Sequence, residues 1–242
     1  MSTGLKEALE YVVGLKAPIM QVVNGETYTD RVMQRVRKEL KAEPIFTETL
    51  TGLIQYIKSG TDEKELAGKM IVHVMSPTRA VLLSSLNGDM ERNSLIEANA
   101  KLPDIIFNRY MNSEEFMISL RSKFVQNDDT AKLIQFSGTV EAGTIATYSD
   151  DGISQSAAVR EGIVGKETKL VPNPVILCPY RTFFEVRQPE SEFIFRMKNR
   201  DNSVACAIFE ADGGAWMREA MTGIQIFLQK NLEEYENITV IS

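Results

Sequence analysis

The sequence predicts an α+β protein: antiparallel β-sheet built from hairpins, with flanking helices and a long C-terminal helix. Three observations carry that expectation. The hydrophobic period changes from helical to two near Lys69 and stays mostly at two through the second half. Strand-like runs follow one another through turns such as Asn87-Gly88 and Asp150-Asp151-Gly152, without crossover helices. After Asp212-Gly213-Gly214 the spacing turns helical again and stays so to about Glu234.

Each element has its own local signal. Ser2 or Thr3 can cap a first helix whose Leu5, Leu9, Val12 and Val13 share one face. Residues 17–29, marked by Pro18, Asn24 and Gly25, read as a linker or an isolated strand. Residues 31–41 read as a second helix, with Val32, Val36 and Leu40 on one side and Arg31, Arg35 and Lys38 on another; Pro44 ends it. Thr47 or Thr49 caps a third, with Leu50, Leu53, Ile54 and Ile57 on its buried face. Residues 69–75, 79–86 and 92–100 are expected strands, the last two joined through Asn87-Gly88.

Asn112-Ser113-Glu114-Glu115 has the form of a capping box ahead of a helix with Phe116, Leu120 and Phe124 on its core face. A short helix over 128–136 follows. Strands are expected over 139–148 and 153–163, and Pro172 and Pro174 confine the next strand to a sheet edge or a strand start. Runs at 175–177, 183–186, 193–197 and 204–209 continue the sheet, and Ile238–Ile241 can dock as a terminal strand. We expect an N-terminal helical segment over 1–45 and a single α+β domain over 46–242, with a sub-boundary near Ser137 as the other division.

Composition excludes several function classes. The one histidine, His73, sits in the apolar run 70–75, which predicts a hydrogen-bonded core residue. Most hydrolytic triads and zinc sites need more. There is no GxGxxG, GxxxxGK[ST] or GxSxG, and no cofactor is expected. Cys178 and Cys206, in apolar runs without a CxxC pair, read as buried thiols. No apolar run approaches the roughly 20 residues that cross a bilayer, and the N-terminus lacks a secretion signal, so a cytoplasmic protein with no membrane contact is expected. The net charge of −6 opposes long-range attraction to nucleic acid but leaves room for a local basic face.

The acidic pairs Asp128-Asp129, Asp150-Asp151 and Glu233-Glu234 fit a helix start, a hairpin tip and a helix end. In Glu210-Ala211-Asp212-Gly213-Gly214-Ala215-Trp216 the glycines open a strand-to-helix turn that can hold an anion. Glu210 and Asp212 would repel a phosphate there, and Asp212 can cap the helix itself. The strongest surface signal is basic. Alternation over 193–200 puts Arg196, Lys198 and Arg200 on one face and Phe193, Phe195 and Met197 on the other; Arg181 and Arg187 lie upstream, with Tyr180 and Phe184 interleaved. Such a face, with the lone Trp216, suits an oligonucleotide, a nucleotide or an acidic protein. A solvated face paired with Glu185, Glu190 and Glu192 is the plainer alternative.

Val171-Pro172-Asn173-Pro174-Val175, then Pro179-Tyr180-Arg181-Thr182-Phe183, Phe193-Ile194-Phe195-Arg196 and Glu210-Ala211-Asp212-Gly213-Gly214 form an ordered series. With Asn112-Ser113-Glu114-Glu115-Phe116 and Thr147-Tyr148-Ser149-Asp150-Asp151-Gly152, the series resembles the YfdQ-like family of bacteriophage and prophage proteins, from about Leu50 to Leu228. The resemblance implies a protein made in a host cell. It transfers no catalytic residue.

These readings predict a non-enzymatic, homo-oligomeric binding protein of phage or prophage origin, in an accessory or counter-defence role. Its partner would be nucleic acid, a nucleotide signal or a host protein, met at Arg181, Arg187, Arg196, Lys198, Arg200, Tyr180 and Trp216. Two alternatives stand beside it. One is a metal-dependent enzyme acting on nucleic acid or nucleotides, which needs Glu210, Asp212 and Asp150 or Asp151 to converge on an ion. The other is a structural component of a phage assembly.

Overall fold

In the computed structural model the chain divides into two compact units, Met1–Lys41 and Ala42–Ser242. The structure describes residues 3–14, 18–23, 26–29, 43–62, 66–88, 90–142, 144–150, 155–160, 166–170, 173–200 and 203–242.

The first unit holds helix α1 (Thr3–Gly14) and strands β1 (Met20–Val23) and β2 (Glu26–Thr29). β1 and β2 pair antiparallel, Met20 opposite Thr29, so the stretch expected to be a linker or a lone strand is a hairpin. Pairing gives the backbone polar groups the partners that an isolated strand lacks. The helix expected over 31–41 lies outside the described residues. Leu5, Leu9, Tyr11 and Val12 of α1 and Met20, Val22 and Tyr28 of the hairpin are all exposed.

The second unit contains two five-stranded sheets. One has the order β7 (Met111–Asn112), β14 (Ser203–Glu210), β13 (Ser191–Arg200), β12 (Val175–Pro179), β8 (Phe124–Val125), antiparallel throughout. Its inner face packs on helices α3 (Ser113–Lys123) and α4 (Asp128–Ala142) around Phe116, Leu120, Phe136, Phe193 and Phe195. The other has the order β15 (Ile238–Ile241), β4 (Met70–Ser76), β5 (Arg79–Leu83), β6 (Ser94–Asn99), β3 (Ile45–Thr47). It packs on α2 (Leu50–Ser59) and α5 (Ala215–Asn231) around Leu53, Val72, Leu82, Ile224 and Leu228. Its two outer pairings, β15 with β4 and β3 with β6, run parallel. A third sheet joins β9 (Thr144–Asp150), β10 (Gln155–Arg160) and β11 (Lys166–Leu170). The α+β class, the antiparallel hairpins and the C-terminal helix are as the sequence predicts.

Local signals set several elements. Thr49 Oγ1 accepts from Gly52 N, and Leu50, Leu53, Ile54 and Ile57 are buried on α2. Asn112 Oδ1 accepts from Glu115 N at 2.7 Å and starts α3, while among the described residues the Glu115 carboxylate makes no reciprocal bond. Half of the expected capping box therefore forms. Pro174 stands immediately before β12, which has neighbours on both sides, so strand start is the reading that applies.

Elsewhere longer-range packing overrides the local pattern. The strand expected from Thr139 starts at Thr144, because α4 continues to Ala142. Leu133, Phe136 and Ser137 are buried along it, and Thr139 Oγ1 donates to Gln135 O four residues back. Ser137, the expected sub-boundary, is thus inside a helix. The segment 183–186 is a turn, not a strand. Gln188 holds it: its Nε2 donates to Thr182 O and Phe183 O, and its Oε1 accepts from Arg181 N and Thr182 N. Phe183 then packs into the second core, and Thr182 Oγ1 reaches Pro77 O at 2.5 Å. Asn87 spans a wider turn than a two-residue hairpin, with its N–H on Glu91 O and its Oδ1 on Glu91 N. α5 ends at Asn231, before Glu234.

Candidate binding face

The strand β13 alternates as its sequence predicts. Phe193, Phe195 and Met197 are buried, with the Phe195 ring stacked 5.4 Å from that of Phe116. Ile194, Arg196 and Lys198 take the other face, where Lys198 is exposed and Arg196 half-buried. Across β14, Ile194 stands opposite Phe209, Arg196 opposite Ala207 and Lys198 opposite Ala205; Asn112 of β7 pairs beyond Ala205.

The segment before β7 completes this outer face. Asn108 takes a left-handed conformation, φ 58°, and donates its N–H to Ile208 O at 2.9 Å. Asparagine tolerates that region better than most residues. Phe107 faces inward against Phe193, while Tyr110 lands outside, its ring 6.0 Å from that of Phe209. The Lys198 Nζ sits 4.0 Å above the Tyr110 ring centroid, within cation–π range. Tyr110 therefore reaches from Phe209 to Lys198, past two residues of β14 that are both alanine. Ala205 and Ala207 are 4% and 0% exposed on this outward side, and their small side chains leave the ring its room.

Arg196 Nη1 donates to Phe195 O at 3.3 Å, and neither Arg196, Lys198 nor the exposed Arg109 meets a carboxylate among the described residues. A cavity of about 330 Å³ opens beside Tyr110, lined by Ile106, Arg109, Met111, Asn112, Glu115 and Ala205. Aromatic rings and cations without a carboxylate partner among the described residues occur together here, the combination that stacks bases and tracks a phosphate backbone.

The other expected site residues lie apart from this face or are spent elsewhere. Arg181 is 6% exposed and does not stand outward with the stripe. Its Nη1 donates to Glu210 Oε1 at 3.0 Å, its Nη2 to Ser191 Oγ, and Asp212 Oδ2 is 3.9 Å away. Trp216 covers its guanidinium at 4.0 Å; Nε has no hydrogen-bond partner among the described residues. Burial pulls this guanidinium below its ordinary pKa, against the opposing pull of Asp212 and Glu210. Arg181 and Trp216 thus form one internal knot. The expectation of an outward Arg181 fails because two acids later in the chain converge on it.

Arg187 is solvated and paired with Glu190 Oε1 at 2.7 Å, the plain alternative for that residue. Tyr180 rests its ring 5.3 Å from Phe184 and gives its N–H to Lys123 O. Arg200 ends β13 opposite Ser203. The sequence reading missed Arg109, Tyr110, Phe209 and Glu115. Their one signal is Asn108-Arg109-Tyr110, a turn-prone residue followed by a cation and an aromatic.

The turn into α5 is occupied by its own side chain. Asp212 Oδ1 accepts from Gly214 N at 3.0 Å and Asp212 Oδ2 from Ser191 Oγ at 2.6 Å, so the turn offers no seat for an anion. Gly213 and Gly214 are both left-handed, φ 63° and 84°, which glycine adopts without strain. Burial alone would push Asp212 up; the hydrogen bonds from Ser191, Gly214 and Trp216, with Arg181 beside it, hold it below the usual carboxylate range. The metal set expected by the enzyme alternative is not assembled among the described residues. Glu210 and Asp212 serve Arg181, Asp150 ends β9, and Asp151 lies outside the described residues; no group of three His, Cys, Asp or Glu side chains there is spaced to hold an ion.

His73 also departs from expectation. It faces away from the core of its sheet, half-buried, with no side-chain hydrogen bond among the described residues. Val72 and Val74 take the inward positions on either side of it. Both cysteines are buried and neither is in a disulfide, and burial raises the Cys178 thiol pKa. Among the described residues no helix is long and apolar enough to cross a membrane. No protein-family model, curated protein or solved structure matches the chain.

Proposed function

We propose that this chain is a non-enzymatic, homo-oligomeric binding protein of phage or prophage origin. Its ligand is single-stranded nucleic acid, held on the outer face of β13 and β14. The observation that carries the ligand is the Lys198–Tyr110–Phe209 row beside Arg196 and Arg109, where cations without carboxylate partners among the described residues adjoin two rings packed edge to face. Local charge of this kind operates within a Debye length of about 8–10 Å, so it acts on a bound strand despite the net charge of −6. The ordered motifs that resemble the YfdQ-like family support the phage context.

A mobility-shift or anisotropy titration with short single-stranded DNA and RNA, repeated over a range of salt, tests the ligand. Affinity is expected to fall log-linearly with salt, with a slope of about −2 for three phosphates met at roughly −0.7 each. No binding at low salt, or binding indifferent to salt, overturns the reading.

Self-association is proposed through the first unit. Every described side chain in it whose burial is defined is exposed, and it has no cysteine. Units below about 40 residues generally need a disulfide, a metal or a partner to bury enough surface. Along α1, Lys6 and Glu10 pair at 3.9 Å beside the Leu5 and Leu9 face, a mixed-charge border that a second copy can match. Light scattering on the intact protein should give a multiple of 27.2 kDa, and Leu5→Asp with Leu9→Asp should return it to 27.2 kDa. A monomeric wild type, or a double variant of unchanged mass, removes this part of the proposal.

A further inference from the structure

We infer that the cavity beside Tyr110 receives one guanine base of the bound strand, read by the Glu115 carboxylate; this rests on the nucleic-acid reading of the face above. The cavity is about 330 Å³, near the lower end of ligand-binding cavities and suited to one nucleotide, not a larger molecule. Ile106, Met111 and Ala205 give it an apolar lining, and the Tyr110 ring gives it a stacking wall.

Two charged groups then set its chemistry. Arg109 is exposed at the rim, where a phosphate of the same nucleotide would lie. Glu115 also lines the cavity, and its carboxylate makes no hydrogen bond or ion pair among the described residues. A carboxylate only accepts hydrogen bonds when ionised. Of the four bases, guanine alone presents two adjacent donors, N1–H and the N2 amino group, on its Watson–Crick edge. Adenine and cytosine each set a lone pair next to one amino group, and thymine or uracil sets one N–H between two carbonyls. Glu115 would pair with both guanine donors and repel the acceptors of the others.

The same arrangement explains a departure from the usual helix start. Glutamate at this position normally returns to the cap backbone. Here Asn112 caps the helix without that help, and the carboxylate remains available to the cavity.

The test is anisotropy with a thymine-only oligonucleotide and the same strand carrying a single guanine. Wild type is expected to favour the guanine strand by about tenfold, the usual order for one bidentate base contact. In Glu115→Gln, whose amide offers one acceptor and one donor, the ratio between the strands should fall to near one. Glu115 is exposed on the first turn of α3, so the variant keeps the fold, which a thermal melt checks. Equal binding of both strands by wild type, or a guanine preference that survives Glu115→Gln, overturns the base assignment and leaves the nucleic-acid face standing. Failure of both strands to bind wild type removes the face and the base assignment together.

Discussion

Arg181→Ala is expected to destabilise the protein by about 3–5 kcal/mol, the range for breaking a buried, hydrogen-bonded ion pair by removing one partner. The Arg181 side chain is 7% exposed, that of Asp212 12% and that of Glu210 34%, so of the two acids left behind Asp212 is the poorly hydrated one. The variant also leaves Ser191 Oγ without its donor and opens a gap under Trp216. Urea denaturation reads the effect as a drop in midpoint at unchanged slope. Arg181→Lys restores the charge but not the two-armed donor, and should recover only part of the loss. A change under about 1 kcal/mol for Arg181→Ala would show that the knot contributes little.

A pH dependence follows from the same network. Asp212 has a depressed pKa in the folded state, so the stability from its ionised form is present above the unfolded-state value, near 3.9. It is lost as pH falls through the lower folded value. Wild-type stability should therefore decline below about pH 4, and Arg181→Ala should decline less over that window, since part of what depresses Asp212 is already gone.

The contrast between Arg181 and Arg196 shows where the sequence is informative and where it is not. The alternation of β13 is a local property, and it correctly assigns Phe195 to the core and Arg196 and Lys198 to the outside. So are the face of α2 and the Asn112 cap, each legible from a few adjacent residues. Arg181 sits in an equally basic and aromatic stretch, yet its surroundings come from Ser191, Glu210, Asp212 and Trp216, which only the fold brings together. Phe183 misleads for a related reason: Gln188 ties the chain into a turn from inside the fold, which no strand period records. Tyr110 is invisible because its place on the sheet depends on a single left-handed residue, Asn108, and on two alanines far along the chain.

Reversing Arg196 and Lys198 together should weaken single-strand binding by on the order of a hundredfold at 0.1 M salt. Each phosphate contact on a single strand contributes a salt exponent of about 0.7, which at 0.1 M is close to fivefold in affinity. Losing two contacts gives about 25-fold, and two carboxylates facing the backbone add repulsion on top. The salt slope should become shallower by about 1.4, a readout that misfolding would not produce. Lys198 is exposed and Arg196 half-buried, and among the described residues neither is ion-paired, so Arg196→Glu with Lys198→Glu should leave the urea midpoint near that of wild type. Arg181→Ala should do the reverse, moving the midpoint while any folded fraction retains the wild-type salt slope. If the double reversal binds as tightly as wild type with an unaltered slope, the outer face of β13 is not where the strand lies.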